Sequence, residues 1–226
     1  MILAIDTTSK LSGVALLSSR GKVLGESLWE SRQNQSKELL PKIKELLGAN
    51  RINQKNLKKI AVITGPGSFT GIRIGIAVAN ALGLALDIPV VGVDTLRAMA
   101  HQLIQKPEAR SQSVIAILEA NREQVYLAKY EVGCQSDKIV IEPNVLQNKN
   151  LAVYIKENDK IICQGSDDFE AYLKSNFLKN KINFIKKPKD NHRARAVGKI
   201  SQRSGTKLTL AKPFYLKQAN ITQRKK

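Results

Sequence analysis

The 226-residue sequence predicts an α/β protein of two similar lobes, each a mixed β-sheet with flanking helices. Three observations carry this. Strand-like runs come as hairpin pairs near the start (2–6, 13–17 and 23–28) and again in the middle (113–118 and 124–130). Each set is followed by helical periodicity, so one hairpin-then-helix plan is written twice. Between the apolar strand-like runs 60–64 and 89–93 lies an apolar helix entered through a glycine-rich loop, which makes a β–α–β unit.

In order along the chain, the turn Ser18-Ser19-Arg20-Gly21 joins the second strand to the third. A helix is predicted over 37–47, with Leu39, Ile43 and Leu46 on one face and Leu40 and Leu47 beside it. Ser36 is placed to cap this helix and Gly48 to stop it, and Pro41 must sit near its first turn or kink it. The loop Gly65-Pro66-Gly67-Ser68-Phe69-Thr70-Gly71 opens a helix running to about Leu86, and Asp94-Thr95 begins another, to about Gln105. The join near 101–112 contains Pro107 and divides the chain into 1–105, carrying the partner-binding helices, and a smaller lobe, 106–226. Beyond it, further strands are expected at 138–141 and 160–163 and a helix at 168–173. A final helix is expected within 191–204, with Ala194, Val197 and Ile200 on one side, and the chain from Lys217 onward is expected to fray.

Composition bounds the function. A 42% hydrophobic and 25% charged chain is ordinary for a folded soluble protein, and cytoplasm is the default location. The longest apolar stretch, 74–86, is shorter than the roughly 20 residues that cross a bilayer, so no membrane partner is expected. The start of the chain lacks the basic n-region of a signal peptide. Two cysteines, Cys134 and Cys163, make neither a disulfide framework nor a metal spacing. The net charge of +18 is concentrated, with 16 basic residues and one acid, Asp190, in 174–226. Such asymmetry points to tRNA or another polyanion, with Lys186, Lys187, Arg193, Arg195, Lys199 and Arg203 as candidate contacts. A merely solubilising charged face is the competing reading.

Two loops could carry chemistry. Asp6, Thr7 and Thr8 end the first strand, where a carboxylate and hydroxyls can hold a metal–phosphate or simply shape a turn. Gly67 and Ser68 lie where backbone N–H groups at a helix start can meet a phosphate, although the loop is neither a P-loop nor a dinucleotide fingerprint. Neither His101 nor His192 is spaced to serve Ser68 as a base, and no His or Cys pair has metal spacing. No catalytic residue and no metal site is therefore assigned.

The runs Ile2-Leu3-Ala4-Ile5-Asp6-Thr7-Thr8, Gly65 through Gly75 and Gly92-Val93-Asp94-Thr95-Leu96 closely resemble the TsaB (YeaZ) family. Glu123-Gln124-Val125-Tyr126 and Pro213-Phe214-Tyr215-Leu216-Lys217 add to the match, which is dense over roughly the first 130 residues. The resemblance implies an actin-like (sugar kinase/Hsp70-type) fold of two lobes. It implies a role in making threonylcarbamoyladenosine beside the anticodon of tRNA, as a catalytically silent partner of the TsaD transferase with the ATPase TsaE joining. ATP and metal would then belong to the partner subunits and no cofactor to this one. Two departures stand out: Gln35 where relatives often carry His, and Glu119 where they usually carry Asp.

The partner surface is expected on two helices. Gly71, Gly75, Ala79 and Gly83 recur every four residues and offer a stripe along which another helix could approach closely, with a helix buried wholly within the chain's own core as the competing reading. Ile72 and Ile76 flank it, and Leu39, Leu40, Ile43 and Leu47 extend the patch. Gly75→Leu or Ala79→Leu is then expected to break the complex and spare the fold. A homodimer through the same patch is an option when the partner is absent, and a nucleotide-hydrolysing protein acting alone is the rival from the enzyme class.

Overall fold

The computed structural model describes residues 1–31, 34–103, 112–133, 137–157, 159–177, 183–184, 193–205 and 208–217. The first sheet is formed by β1 (Ile2–Asp6), β2 (Leu11–Leu17), β3 (Val23–Glu30), β4 (Lys59–Gly65) and β5 (Val90–Asp94), in the order β3-β2-β1-β4-β5. β1, β2 and β3 pair antiparallel, and β1, β4 and β5 pair parallel. The second sheet contains β6 (Gln112–Glu119), β7 (Gln124–Val132), β8 (Asp137–Gln147), β9 (Lys160–Gln164) and β10 (Asn183–Phe184), in the order β10-β9-β6-β7-β8. Again the first three strands are antiparallel and the next two parallel. The two halves thus share one topology, as the repeated hairpin plan predicts. The strand expected at 138–141 is longer than the sequence suggested, and Pro143 lies in it where a missing N–H is tolerated, on the sheet edge.

The helices repeat the plan too. α1 (Gln35–Ala49) precedes β4, α2 (Phe69–Leu86) joins β4 to β5, and α3 (Thr95–His101) follows β5. In the second half a 3₁₀ segment (Asn148–Val153) stands where α1 does, with α4 (Asp167–Phe177) and α5 (Arg193–Ser201) after β9 and β10. α1 starts earlier than expected, at Gln35 after Asn34, so Ser36 lies inside its first turn and Gly48 inside its last. Pro41 lies inside the helix on an exposed position.

α3 packs on β6 and β7 of the second sheet, where Leu96, Met99 and Ala100 join a core with Val114, Ala116 and Tyr130. α5 packs on β1, β2 and β4, where Ala194, Val197 and Ile200 join Ala4, Ala15 and Ala61. Each half therefore lends its last helix toward the other half's sheet. The boundary expected at 105/106 lies outside the described residues, and α5 packs on the first sheet.

α2 corrects a second expectation. Gly71, Gly75, Ala79 and Gly83 are buried, and they face the chain's own sheet. A Cβ on Gly71 would lie 1.9 Å from the Thr7 carbonyl oxygen, one on Gly75 2.4 Å from Thr7 Oγ1, and one on Gly83 2.3 Å from Val90 Cγ2. The small stripe exists so that α2 can lie close to β1, β4 and β5. Ile72 and Ile76 are buried beside it, as are Leu39, Ile43 and Leu47 on α1. Leu40 alone of the expected interface positions on α1 is exposed, at 50%. By length and composition α2 would also span a membrane, but as the crossover from β4 to β5 its inner face is seated on the sheet.

Two substitutions separate seat from surface. Gly71→Ala should lower unfolding free energy by about 1–3 kcal/mol or more, since backbone must move to admit the methyl group. Gly48→Ala meets nothing within 4 Å and should raise it by about 0.5–1 kcal/mol. Urea titration of both variants measures the contrast.

Candidate functional site

The turn after β1 begins with buried residues where the two halves meet. Asp6, Thr7 and Thr8 are at most 3% exposed. Asp6 Oδ1 accepts from the Thr8 amide (2.9 Å) and the Thr8 hydroxyl (2.7 Å), an Asx turn that shapes the loop. Asp6 Oδ2 pairs with Nε of Arg193, the first residue of α5, at 2.8 Å. The other guanidinium nitrogens donate to Ser9 Oγ (2.8 Å) and to Gln164 Oε1 at the end of β9 (3.2 Å). Arg193 is 1% exposed. Its placement corrects its assignment as a tRNA contact, because a buried, paired guanidinium cannot reach a phosphate backbone.

The glycine-rich loop leans on this turn. The Ser68 amide donates to the Thr8 carbonyl oxygen (2.9 Å), and Thr7 Oγ1 donates to the Gly71 carbonyl oxygen (2.6 Å). Ser68 Oγ accepts from the Gly71 amide at 3.2 Å and so caps α2. Gly67 has φ 154° and passes within 2.8 Å, for a Cβ, of the Thr8 carbonyl oxygen, so a side chain would collide with the turn. The two loops expected to receive phosphate are thus bonded to each other, with Asp6, Thr8 and Ser68 already engaged.

Two further groups join the halves. Asp137, at the start of β8, receives Arg97 of α3 (2.7 Å), Arg203 just beyond α5 (3.0 Å) and lies 2.7 Å from His101 Nε2. Burial alone would push the Asp137 carboxyl up, but hydrogen bonds and charge from His101 and Arg97 outweigh it and hold it well below the usual carboxylate range. Asp94, which caps α3 through the Arg97 amide (2.8 Å), also accepts from Tyr130 (2.9 Å). Burial raises the Asp94 carboxyl, and burial with the Asp94 charge pushes the Tyr130 phenol up, so Tyr130 stays a donor.

The last described segment straps the first sheet to the second half. Val90 and Thr209 exchange hydrogen bonds, the Asn80 side chain both donates to and accepts from the Ala211 backbone (3.0 and 2.9 Å), and the Phe214 amide donates to Thr64 (2.8 Å). Gly65 has φ 119°, and a Cβ there would lie 2.6 Å from the Phe214 carbonyl oxygen. Tyr215 stacks on Phe69, Arg73 lies over the Phe69 ring at 3.9 Å, and Lys217 donates to Gln124 of β7 (2.8 Å). Lys217 is thus anchored where fraying was expected. A cleft of about 240 Å³ remains between this strap, Gly67 and Asn121.

The remaining expected residues fall as follows. Arg195 pairs with Glu26 and Arg203 with Asp137, which leaves Lys199 exposed; Lys186, Lys187, His192 and Cys134 lie outside the described residues. Cys163 is buried in the second core. Gln35 is 8% exposed, so this departure from the family sits inside the fold. Glu119 accepts from the amide and hydroxyl of Ser166, the residue that opens α4. Among the described residues no three His, Cys, Asp or Glu side chains gather as a metal site would require.

A family model described as "TsaD: tRNA N6-adenosine threonylcarbamoyltransferase" matches residues 23–212. The Bacillus subtilis tRNA threonylcarbamoyladenosine biosynthesis protein TsaB is 34% identical over 169 residues, 74% of this chain and 71% of its own. The chain belongs to the TsaB (YeaZ) family, within the reach of the TsaD family model. A Pseudomonas aeruginosa protein described as similar to peptidase YeaZ superposes with a TM-score of 0.74 at 24% identity, over 96% of this chain and 99% of that one. An Arthrobacter inorganic polyphosphate/ATP-glucomannokinase superposes with a TM-score of 0.50 at 12% identity, over 89% and 97%. The fold is accordingly of the actin-like, sugar-kinase type, as the TsaB resemblance implied.

What sequence reasoning missed in this TsaB-family chain is the role of Arg193. One signal was available: a cation in the first turn of a helix opposes the helix dipole and needs a nearby anion, and a strand-end Asp was in hand. The Asp137 cluster left no such signal, because Arg97, His101, Asp137 and Arg203 are scattered over the sequence.

The Asp137 cluster has a pH signature. A carboxyl held below its unfolded value contributes stability above about pH 4 and loses it as pH falls through and below that value. The stability gap between wild type and Asp137→Asn should be largest above about pH 5 and shrink below pH 4; denaturant titrations at several pH values read it.

Proposed function

We propose that the chain is a catalytically silent partner subunit of a TsaD-type threonylcarbamoyl transferase, acting in tRNA threonylcarbamoyladenosine biosynthesis, with a TsaE-type ATPase joining the assembly. ATP and metal are then held by the partners. The observation that carries the docking is the outer face of α2. Ile74, Ala77, Val78, Ala81, Leu82 and Ala85 follow helical spacing, are partly or fully exposed, and carry no charge; Leu84 beside them is 62% exposed. Ala77, Ala81 and Ala85 form a second small-residue stripe, two positions out of phase with the glycines and so on roughly the opposite side of the helix. Close helix approach, expected of the buried stripe, is available on this one. A groove of about 540 Å³ beside it, lined by Leu40, Ile43, Lys44, Leu47 and Leu82, extends the surface onto α1. An apolar face of this extent marks an interaction site in a chain of high charge, and a second copy would cover it when the partner is absent.

The silent character is supported by the turn after β1. A nucleotide-hydrolysing protein would use Asp6 toward metal or water, and here both carboxylate oxygens are spoken for by Thr8 and Arg193. Direct tRNA binding retains Lys199 and the basic residues outside the described ones, which is less support than the docking face has.

Ala81→Arg and Leu84→Asp are expected to abolish co-purification with the TsaD-type subunit of the same organism while leaving the melting temperature unchanged. Retention of the complex by both variants would overturn the docking face. By contrast Gly75→Leu or Ala79→Leu should unfold the chain, since both positions face the sheet. The purified chain alone should show no ATP turnover above buffer, and turnover would remove the silent assignment.

A further inference from the structure

We infer that Arg193 is an internal clasp that holds the two halves together without nucleotide, its guanidinium joining the turn after β1 to the end of β9. The geometry is that of a built site. One side of the guanidinium meets Asp6 Oδ2 (2.8 Å) and Ser9 Oγ (2.8 Å) from the first half, and the other meets Gln164 Oε1 (3.2 Å) from the second. Arg193 and Asp6 are 1% and 2% exposed, so the pair is charge-neutral and desolvated as a unit, the condition under which a buried ion pair persists. Arg193 also opens α5, at the helix end where a cation is disfavoured, so its position is held by its partners and not by the helix. The planar fork reaches two hydrogen-bond acceptors and the Asp6 carboxylate in two directions, which a lysine ammonium could not match with the same geometry.

The consequence concerns ligand dependence. In a two-lobed protein whose cleft is bridged by a bound molecule, the halves are drawn together when the molecule arrives. Here the bridge is covalently part of the chain, and the turn after β1 has spent its groups on it: Asp6 on Thr8 and Arg193, Ser9 on Arg193 and the Leu11 carbonyl oxygen. The lobes are then fixed in one relation at all times, and a partner meets a preformed surface. The clasp residues are distinct from the α2 docking face, so either inference can fail alone.

Amide hydrogen exchange followed by mass spectrometry tests it, on wild type, Gln164→Ala, Arg193→Lys and Arg193→Met, each with and without Mg-ATP. In wild type the segments around residues 6–12 and 160–166 should be protected without nucleotide and unchanged by its addition. Gln164→Ala removes only the second-half end of the clasp and should keep the fold. Exchange should then rise about tenfold in both segments while 59–65 in β4 stays protected; a general loss of stability would raise all three. Arg193→Lys should fall between wild type and Arg193→Met. Should Arg193→Met not fold, Gln164→Ala and Arg193→Lys carry the test. Wild-type segments that exchange freely and become protected only on adding Mg-ATP would overturn the clasp, as would a Gln164→Ala variant indistinguishable from wild type.

Discussion

Each half of this chain rests its last helix on the sheet of the other, and most of the molecule's particular features follow from that exchange. α5 crosses to β1, β2 and β4, and α3 crosses to β6 and β7, so the two apolar cores are completed reciprocally. The crossing delivers Arg193 to Asp6 and Gln164, and brings Arg97, His101 and Arg203 around Asp137. Asp6, Arg193 and Asp137 have buried side chains whose charges are costly unless paired, and every one of the pairs named here joins segments far apart in sequence. Polar groups at the seam thus set a register between the halves that apolar packing alone would leave loose.

The same economy governs α2. Its glycines bring the helix backbone against the turn after β1, and that closeness in turn fixes Thr7, Thr8 and Ser68 in one hydrogen-bonded knot. With its inner face so tightly seated, the helix presents a second face outward that is apolar apart from Thr70 and Arg73 near its start and Asn80, which bonds the Ala211 backbone. A helix apolar on all sides has to be covered on all sides. The fold covers one side of α2 and leaves residues such as Ala77, Ala81, Leu84 and Ala85 exposed on the other.

Strand and helix placement was legible because periodicity and turn residues are local signals. The strands of the first sheet, the helix after Gly71 and the apolar side of α5 were all readable from spacing. The small-residue stripe was readable too, but its direction was not: Gly71, Gly75, Ala79 and Gly83 have the same spacing whether they face a sheet or another subunit, and only the proximity of Thr7 and Val90 decides. The competing alanine stripe two residues away was visible and went unweighed. Arg193 was read as surface because it lies in a basic stretch, yet charge composition says nothing of which member of a run turns inward. The loop after β1 resembled a phosphate site for the good reason that an Asx turn and a phosphate turn use the same residues.

The strap at residues 208–217 has a consequence for synthesis. Thr209 pairs with the edge strand β5, Ala211 is gripped by Asn80, and Phe214 closes on Thr64, all partners from the first half of the chain. α5 fills the inner side of that same sheet. A nascent chain emerging from the ribosome therefore cannot finish its N-terminal half first and move on. That half waits, with one edge and one face open, until residues 193–217 have emerged, and the lobe begun earliest is completed only after most of the second has been made.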